Sequence, residues 1–218
     1  MLLAIDTSGP VCAACIFDEN RDFVLAARSE EIGRGHAELV TDQIKDCLAE
    51  ADLSLKHMKR IIVVNGPGSF TGLRVGLSAA RGFSLGLGIP VTPISTLDAL
   101  EYVARKTAEE GVIAVVSDAR RDEYYWQLNG NNPNIDKAKI VADALADQPA
   151  KICGTGSNAI NALLANPLPV IHELSVVPIE DIARLGGNKE SVNGSIEPLY
   201  LRPPDAKVSA GAALERVT

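Results

Sequence analysis

Aromatic residues make up only 4% of this 218-residue chain, with a single tryptophan, four tyrosines and four phenylalanines. So few rings argue against a stacking platform for single-stranded nucleic acid. Cations are also in deficit: 21 Lys and Arg against 28 Asp and Glu leave a net charge of −7. A surface that grips a phosphate backbone unaided is usually basic, so an independent tRNA or DNA binder is disfavoured. The two basic clusters, Lys56-His57-Lys59-Arg60 and Arg120-Arg121, read as solvated surface. No apolar run approaches the roughly 18 residues of a membrane helix. MLLAIDTS has no basic n-region and reaches Asp6 at once, so it reads as a first strand, and a cytoplasmic protein with no membrane partner is expected. Histidine is limited to His36, His57 and His172, no two spaced to share a metal. The lone C-x-x-C, Cys12 and Cys15, lies in the strand-like VCAACIF. Residues three apart on a strand point to opposite faces, so buried reduced thiols are expected there and at Cys47 and Cys153.

What is present is a globular composition, 46% hydrophobic, long enough for one large domain or two lobes. LLAID, VCAACIF and DFVLAARSE read as strands, and His36 to Asp52 as a helix with Leu39, Val40, Ile44, Cys47, Leu48 and Ala51 on one face. RIIVV is a buried strand, a helix runs from about Thr71 to Leu87, and IPVTPI is a strand. Ser95 to Asp98 then starts a helix ending near Lys106. The second half partly repeats the first. GVIAVVSDAR, EYYWQLN, AKIVA and KICG read as strands, NAINALLAN and IEDIARLGG as helices. Each half delivers an aspartate at the end of its first strand, Asp6 and Asp118. The division expected is a lobe over 1–107, a smaller lobe over 108–202, and a proline-rich segment and tail over 203–218 that can pack back on the first lobe.

NGPGSFTGLRVG, Asn65 to Gly76, looks like a phosphate cradle. It matches neither the P-loop spacing, which also needs a lysine, nor the dinucleotide fingerprint. In the helix that follows, Gly72, Gly76, Ala79, Ala80, Gly82 and Gly86 share an arc of about 160°, interrupted mainly by Phe83. Glycine inside a helix costs about 1 kcal/mol relative to alanine, so four of them need a reason. Two readings stand: tight packing on the chain's own sheet, or a face shared with a partner chain.

AIDTS, GHAEL, NGPGSFTGLRVG, SDARRDEYY and PLYLR together resemble the bacterial TsaB (YeaZ) family, over Leu2 to about Arg202. The resemblance implies an α/β fold of the actin/Hsp70/sugar-kinase (ASKHA) type, two duplicated lobes each with a mixed sheet and flanking helices. It also implies a non-catalytic subunit in making threonylcarbamoyladenosine beside the anticodon of tRNAs that read codons starting with A. The implied partners are the catalytic paralogue TsaD, the ATPase TsaE, a second copy of the chain when TsaD is absent, and tRNA only through the complex.

TsaD binds a metal through a His-x-x-x-His pair. Thr96 and Leu100 stand at those positions, so no metal site, no catalytic residue and no tightly bound cofactor is expected. Kinases of this fold hold phosphate on two Asp-x-Gly turns. Asp6, Thr7, Ser8 and Gly9 keep something close to one. In the second, Asp118-Ala119-Arg120-Arg121 puts side chains and charge in place of glycine. Both are read as vestigial, and two readings of Arg120 stand: contact with an anion, or, the favoured one, pairing with Asp118, Asp122 or Glu123. Gly154-Thr155-Gly156 is a weak relic of an adenosine-binding turn. The resemblance turns the glycine helix toward the interface reading, with His36, Leu39, Gly72, Gly76, Ala79, Ala80 and Phe83 as partner contacts. A small-molecule kinase of the same fold, a metallopeptidase and a direct tRNA binder are the competing readings.

Overall fold

Each half of the chain opens on a β-hairpin whose first strand ends in an aspartate. The computed structural model describes residues 1–33, 35–108, 110–193 and 196–202. In the first half β1 (Leu2–Asp6) pairs antiparallel with β2 (Val11–Asp18), and β2 with β3 (Phe23–Glu31). Helix α1 (His36–Glu50) then leads to β4 (Arg60–Gly66), which lies parallel to β1. Helix α2 (Phe70–Leu87) leads to β5 (Val91–Ser95), parallel to β4, giving the order β3-β2-β1-β4-β5. Side chains of Leu2 to Ile5 and Ile61 to Val63 are fully buried, because helices cover both faces of this sheet and no polar alternation is needed.

Helix α3 (Thr96–Thr107) starts where expected: the Ser95 hydroxyl accepts from the N–H groups of Leu97 (3.1 Å) and Asp98 (3.5 Å). The second half repeats the hairpin with β6 (Val112–Asp118) and β7 (Glu123–Leu128), adds β8 (Asn134–Lys137) and α4 (Ala138–Leu145), and returns with β9 (Ala150–Cys153) parallel to β6. The order β8-β7-β6-β9 is that of the first sheet without its fifth strand. This is the duplicated ASKHA arrangement of two mixed sheets with flanking helices. Helices α5 (Ser157–Asn161) and α6 (Ile179–Gly187) complete the elements.

Two expectations need correcting. AKIVA is not a strand but the first turns of α4, which buries Ala138, Val141, Ala142 and Leu145 at helical spacing; the strand is the preceding Asn134–Lys137. Residues 108–202 do not stay in one lobe. Helix α6 packs on the first sheet, with Ile62 side-chain atoms within 2.5–2.7 Å of where a Cβ on Gly186 would lie, and Ile196 is buried among first-lobe side chains. Apolar burial, not chain order, sets that boundary. The apolar face expected over His36–Asp52 is the one that packs: Val40, Ile44, Cys47 and Leu48 are buried, Leu39 and Ala51 are half-buried against the same cluster, and His36 and Gln43 are buried with them. The tail over 203–218 lies outside the described residues.

Cys12 packs with α1 and α2 on one side of the first sheet, and Cys15 on the other side, toward α3 and α6. Burial pushes the thiols of Cys12 and Cys47 up to about 11, and those of Cys15 and Cys153 up to about 12. All four cysteines are free and buried. No helix among the described residues is long and apolar enough to cross a membrane.

Candidate functional site

The glycine loop is shaped by the turn it covers. Ser69 N–H donates to the Ser8 carbonyl (2.7 Å), and the Thr7 hydroxyl donates to the Gly72 carbonyl (2.7 Å). A Cβ on Gly68 would lie 2.4 Å from the Ser8 carbonyl oxygen, and one on Gly72 would lie 2.0 Å from that of Thr7. Gly76 faces the Thr7 hydroxyl, 2.5 Å from its own ideal Cβ. These glycines therefore admit the backbone of the first turn, which answers the cradle question. The loop closes on protein carbonyls.

Gly72, Gly76 and Ala80 are buried against the chain's own first lobe, and His36 turns inward, its Nε2 3.1 Å from the Gly9 carbonyl oxygen. These four expected partner contacts point into the fold. The helical wheel grouped the small residues correctly but could not say which part of the arc meets the sheet. Leu39 and Phe83 are half-buried against the inner cluster. Ala79 lines an open groove between α1 and α2, and nothing lies within 4 Å of a Cβ on Gly82 or Gly86. The groove, about 470 Å³, is lined by Ala37, Val40 and Thr41 on one side and Thr71, Val75 and Ser78 on the other, with Phe70 and Arg74 at one end. Arg74 sits over the Phe70 ring at 3.8 Å from its centroid, Tyr200 stacks on that ring at 5.2 Å, and Arg74 Nε donates to the Tyr200 hydroxyl (3.1 Å). The sequence reading missed Thr41, Thr71, Val75 and Ser78; for the three on α2 the signal was their i, i+4, i+7 spacing from Thr71, with Thr71 and Ser78 exposed and Val75 half-buried.

Between the two sheets lies a cleft of about 710 Å³ that both aspartate turns line. The turns use the same device. Asp6 Oδ1 accepts from Ser8 N–H (2.8 Å), and Asp118 Oδ1 accepts from Arg120 N–H (2.7 Å). Each takes up a backbone donor that a phosphate-holding turn would aim at its anion. Thr155 Oγ1 accepts from Asp118 N–H (2.9 Å), which places the Gly154–Gly156 turn beside it.

The second turn is tight. Arg120, Arg121 and Asp122 all have left-handed backbone, at φ of 64°, 58° and 58°. Such a conformation costs on the order of 1–2 kcal/mol for each non-glycine residue. The turn is held by its surroundings: Arg202 donates to the Ala119 (3.0 Å) and Arg120 (3.4 Å) carbonyls and to the Glu123 carboxylate. Lys137 donates to the Arg121 carbonyl at 2.7 Å. Glu123 is thus engaged by Arg202 and Lys137, and Arg120, which lines the cleft, has no carboxylate partner among the described residues, contrary to the pairing favoured for it. Thr96 and Leu100, at the positions of the paralogue's histidines, both line the cleft.

Burial pushes the Asp6 carboxyl above its ordinary value, opposed by hydrogen bonds from Ser8 and by the charge of His36. An acid whose folded value is raised is penalised once pH exceeds the unfolded value near 4, and the penalty is complete above the folded value. Asp6→Asn keeps an oxygen for Ser8 N–H and removes the charge. It should therefore raise Tm at pH 7, by roughly 2–4 °C for each 1 kcal/mol relieved. The difference should disappear at a pH below both values, as thermal melts at the two pH values will check.

A family model described as TsaD, tRNA N6-adenosine threonylcarbamoyltransferase, matches residues 28–185. An uncharacterized protein of Mycobacterium tuberculosis is 34% identical over 206 residues, 94% of this chain and 93% of that one. The tRNA threonylcarbamoyladenosine biosynthesis protein TsaB of Bacillus subtilis is 27% identical, covering 94% of this chain and 96% of its own. A crystal structure from Pseudomonas aeruginosa, of a protein similar to the peptidase YeaZ, superposes with a TM-score of 0.79 at 28% identity, covering 92% of this chain and 99% of that one.

Proposed function

This chain belongs to the TsaD threonylcarbamoyltransferase family, in its TsaB (YeaZ) branch, and we propose that it acts there as a non-catalytic subunit. In this reading it binds and activates TsaD, which transfers a threonylcarbamoyl group to the adenosine beside the anticodon of tRNA. The observation that carries the reading is the pair of aspartate turns. Ser8 and Arg120 N–H groups are both spent on the chain's own carboxylates, and side chains replace glycine in the second turn. A phosphate-transfer site needs such donors free and aimed at the anion.

With the cleft so furnished, the useful surface is the groove on the first lobe. Its small residues let a partner helix approach closely, and the apolar floor of Val40, Val75 and Ala79 gives that helix something to bury against. The partner is TsaD, with a second copy of the chain taking its place when TsaD is absent. TsaE joins the complex and tRNA is met only there, in a cytoplasmic setting.

The test is an omit-one reconstitution: TsaD, TsaE, the threonylcarbamoyl-AMP donor, ATP and tRNA, with and without this chain, scored by the mass of the modified nucleoside. Product only when the chain is present, and none from the chain alone, is the expected outcome. Equal product without it would overturn the activating role.

A further inference from the structure

One short segment, Ile196–Arg202, joins the groove on the first lobe to the cleft. It is anchored by Ile196, 2% exposed, whose carbonyl accepts from Arg81. It is then pinned to the glycine loop, where Leu199 N–H donates to the Asn65 carbonyl (2.7 Å) and Asn65 Nδ2 to the Glu197 carbonyl (3.2 Å). Gly66 is glycine for this reason, since its Cβ would stand 3.0 Å from the Leu199 carbonyl oxygen with φ at 114°. Tyr200 follows, 41% exposed, stacked on Phe70 and bonded by Arg74 at the end of the groove. Two residues later Arg202 clamps the second turn through the Ala119 and Arg120 carbonyls and Glu123. That turn holds three successive left-handed residues, a conformation that persists only while its surroundings impose it.

We propose that Ile196–Arg202 is a coupling strap: a partner seated in the α1/α2 groove fixes Tyr200 and, through Arg202, sets the conformation of the turn from Asp118 to Asp122 at the cleft. The proposal rests on the reading of this groove as the partner surface and adds to it a readout on the other lobe. A partner that contacts Phe70 and Arg74 restricts the ring packed on both, and the state of the clamp follows because no free chain separates Tyr200 from Arg202. Binding favours whichever turn conformation the seated strap supports.

Hydrogen exchange read by mass spectrometry tests this on the full chain, with purified TsaD at saturation as the probe. The amides of Ala119 and Glu123, which bond within the turn to Glu123 and Arg120 carbonyls, are the reporters. In the wild type, TsaD should slow exchange in α1, in α2 and, at least fivefold, in peptides spanning 118–124. With Tyr200→Ala or Arg202→Gln the helices should still be protected while the slowing at 118–124 is lost. Two independent variants guard against one that misfolds. Protection at 118–124 that persists in both variants would mean direct contact or another route and would overturn the strap. So would helix protection in the wild type with an unchanged turn. Absence of helix protection in the wild type would instead remove the partner surface, and the strap with it.

Discussion

Gly72→Ala should cost the chain about 3 kcal/mol or more of stability, read as a lowered urea midpoint or failure to fold. Within a helix alanine is normally favoured over glycine by about 1 kcal/mol, so the expected sign is opposite to propensity. The reason is local. The ideal Cβ lies 2.0 Å from the Thr7 carbonyl oxygen and 3.2 Å from its carbon, and the obstacle is backbone, not the movable end of a side chain. To make room, α2 must lift from β1, yet its first turn is tied down by the Thr7 hydroxyl and by Ser69. Leu73, Leu77 and Ala80 would lose their contacts behind it. Gly82→Ala on the same helix is the matched control. Nothing lies within 4 Å of that Cβ, so a gain of about 0.5–1 kcal/mol is expected. Equal effects at both positions would show that close approach to the first turn is not what glycine serves here.

On the proposed reading of the α1/α2 groove as the TsaD surface, Ser78→Arg should leave the isolated chain as stable as wild type, within about 0.5 kcal/mol, while weakening TsaD binding about 100-fold. Ser78 is exposed and lines the groove, so the long side chain has solvent to occupy in the free chain. Under a partner it has none, and an unpaired charge left in an interface costs about 2–5 kcal/mol. Titration calorimetry against TsaD, with a thermal melt of each variant alone, separates these effects. Wild-type affinity in a folded variant would move the contact to another face.

Much of the fold was legible because burial leaves a plain trace. Continuous apolar runs such as LLAID and RIIVV belong to strands covered on both faces, and the Cys12/Cys15 alternation follows from strand geometry alone. Where burial is weak the trace fades. The edge strand Asn134–Lys137 carries one apolar residue, Ile135, so the neighbouring Ile140 and Val141 of a helix were read as strand instead. The two aspartates were legible as strand-terminal carboxylates, but their use of Ser8 and Arg120 N–H groups depends on turn backbone that composition does not encode. The groove was half legible. Small residues run right around one arc of α2, and only the position of Thr7 decides that Gly72 and Gly76 look inward while Gly82 and Gly86 look out. The roles of Tyr200 and Arg202 come from contacts 126 and 79 residues away, with Arg74 and Glu123, beyond any local pattern.

The return of α6 to the first sheet has a consequence for synthesis. Strands β1, β2, β4 and β5 are complete once Ser95 has been made, yet Ile182, Ala183 and Gly186 belong to the cover over one of their faces. A ribosome adding about 5–20 residues per second takes roughly 5–20 s over the interval between them. Throughout that time an apolar sheet face that includes Leu2, Phe17 and Ile62 lacks part of its roof. A nascent chain halted after Thr107 is therefore not a finished lobe, and the second lobe is, in order of manufacture, a detour taken before the first is closed.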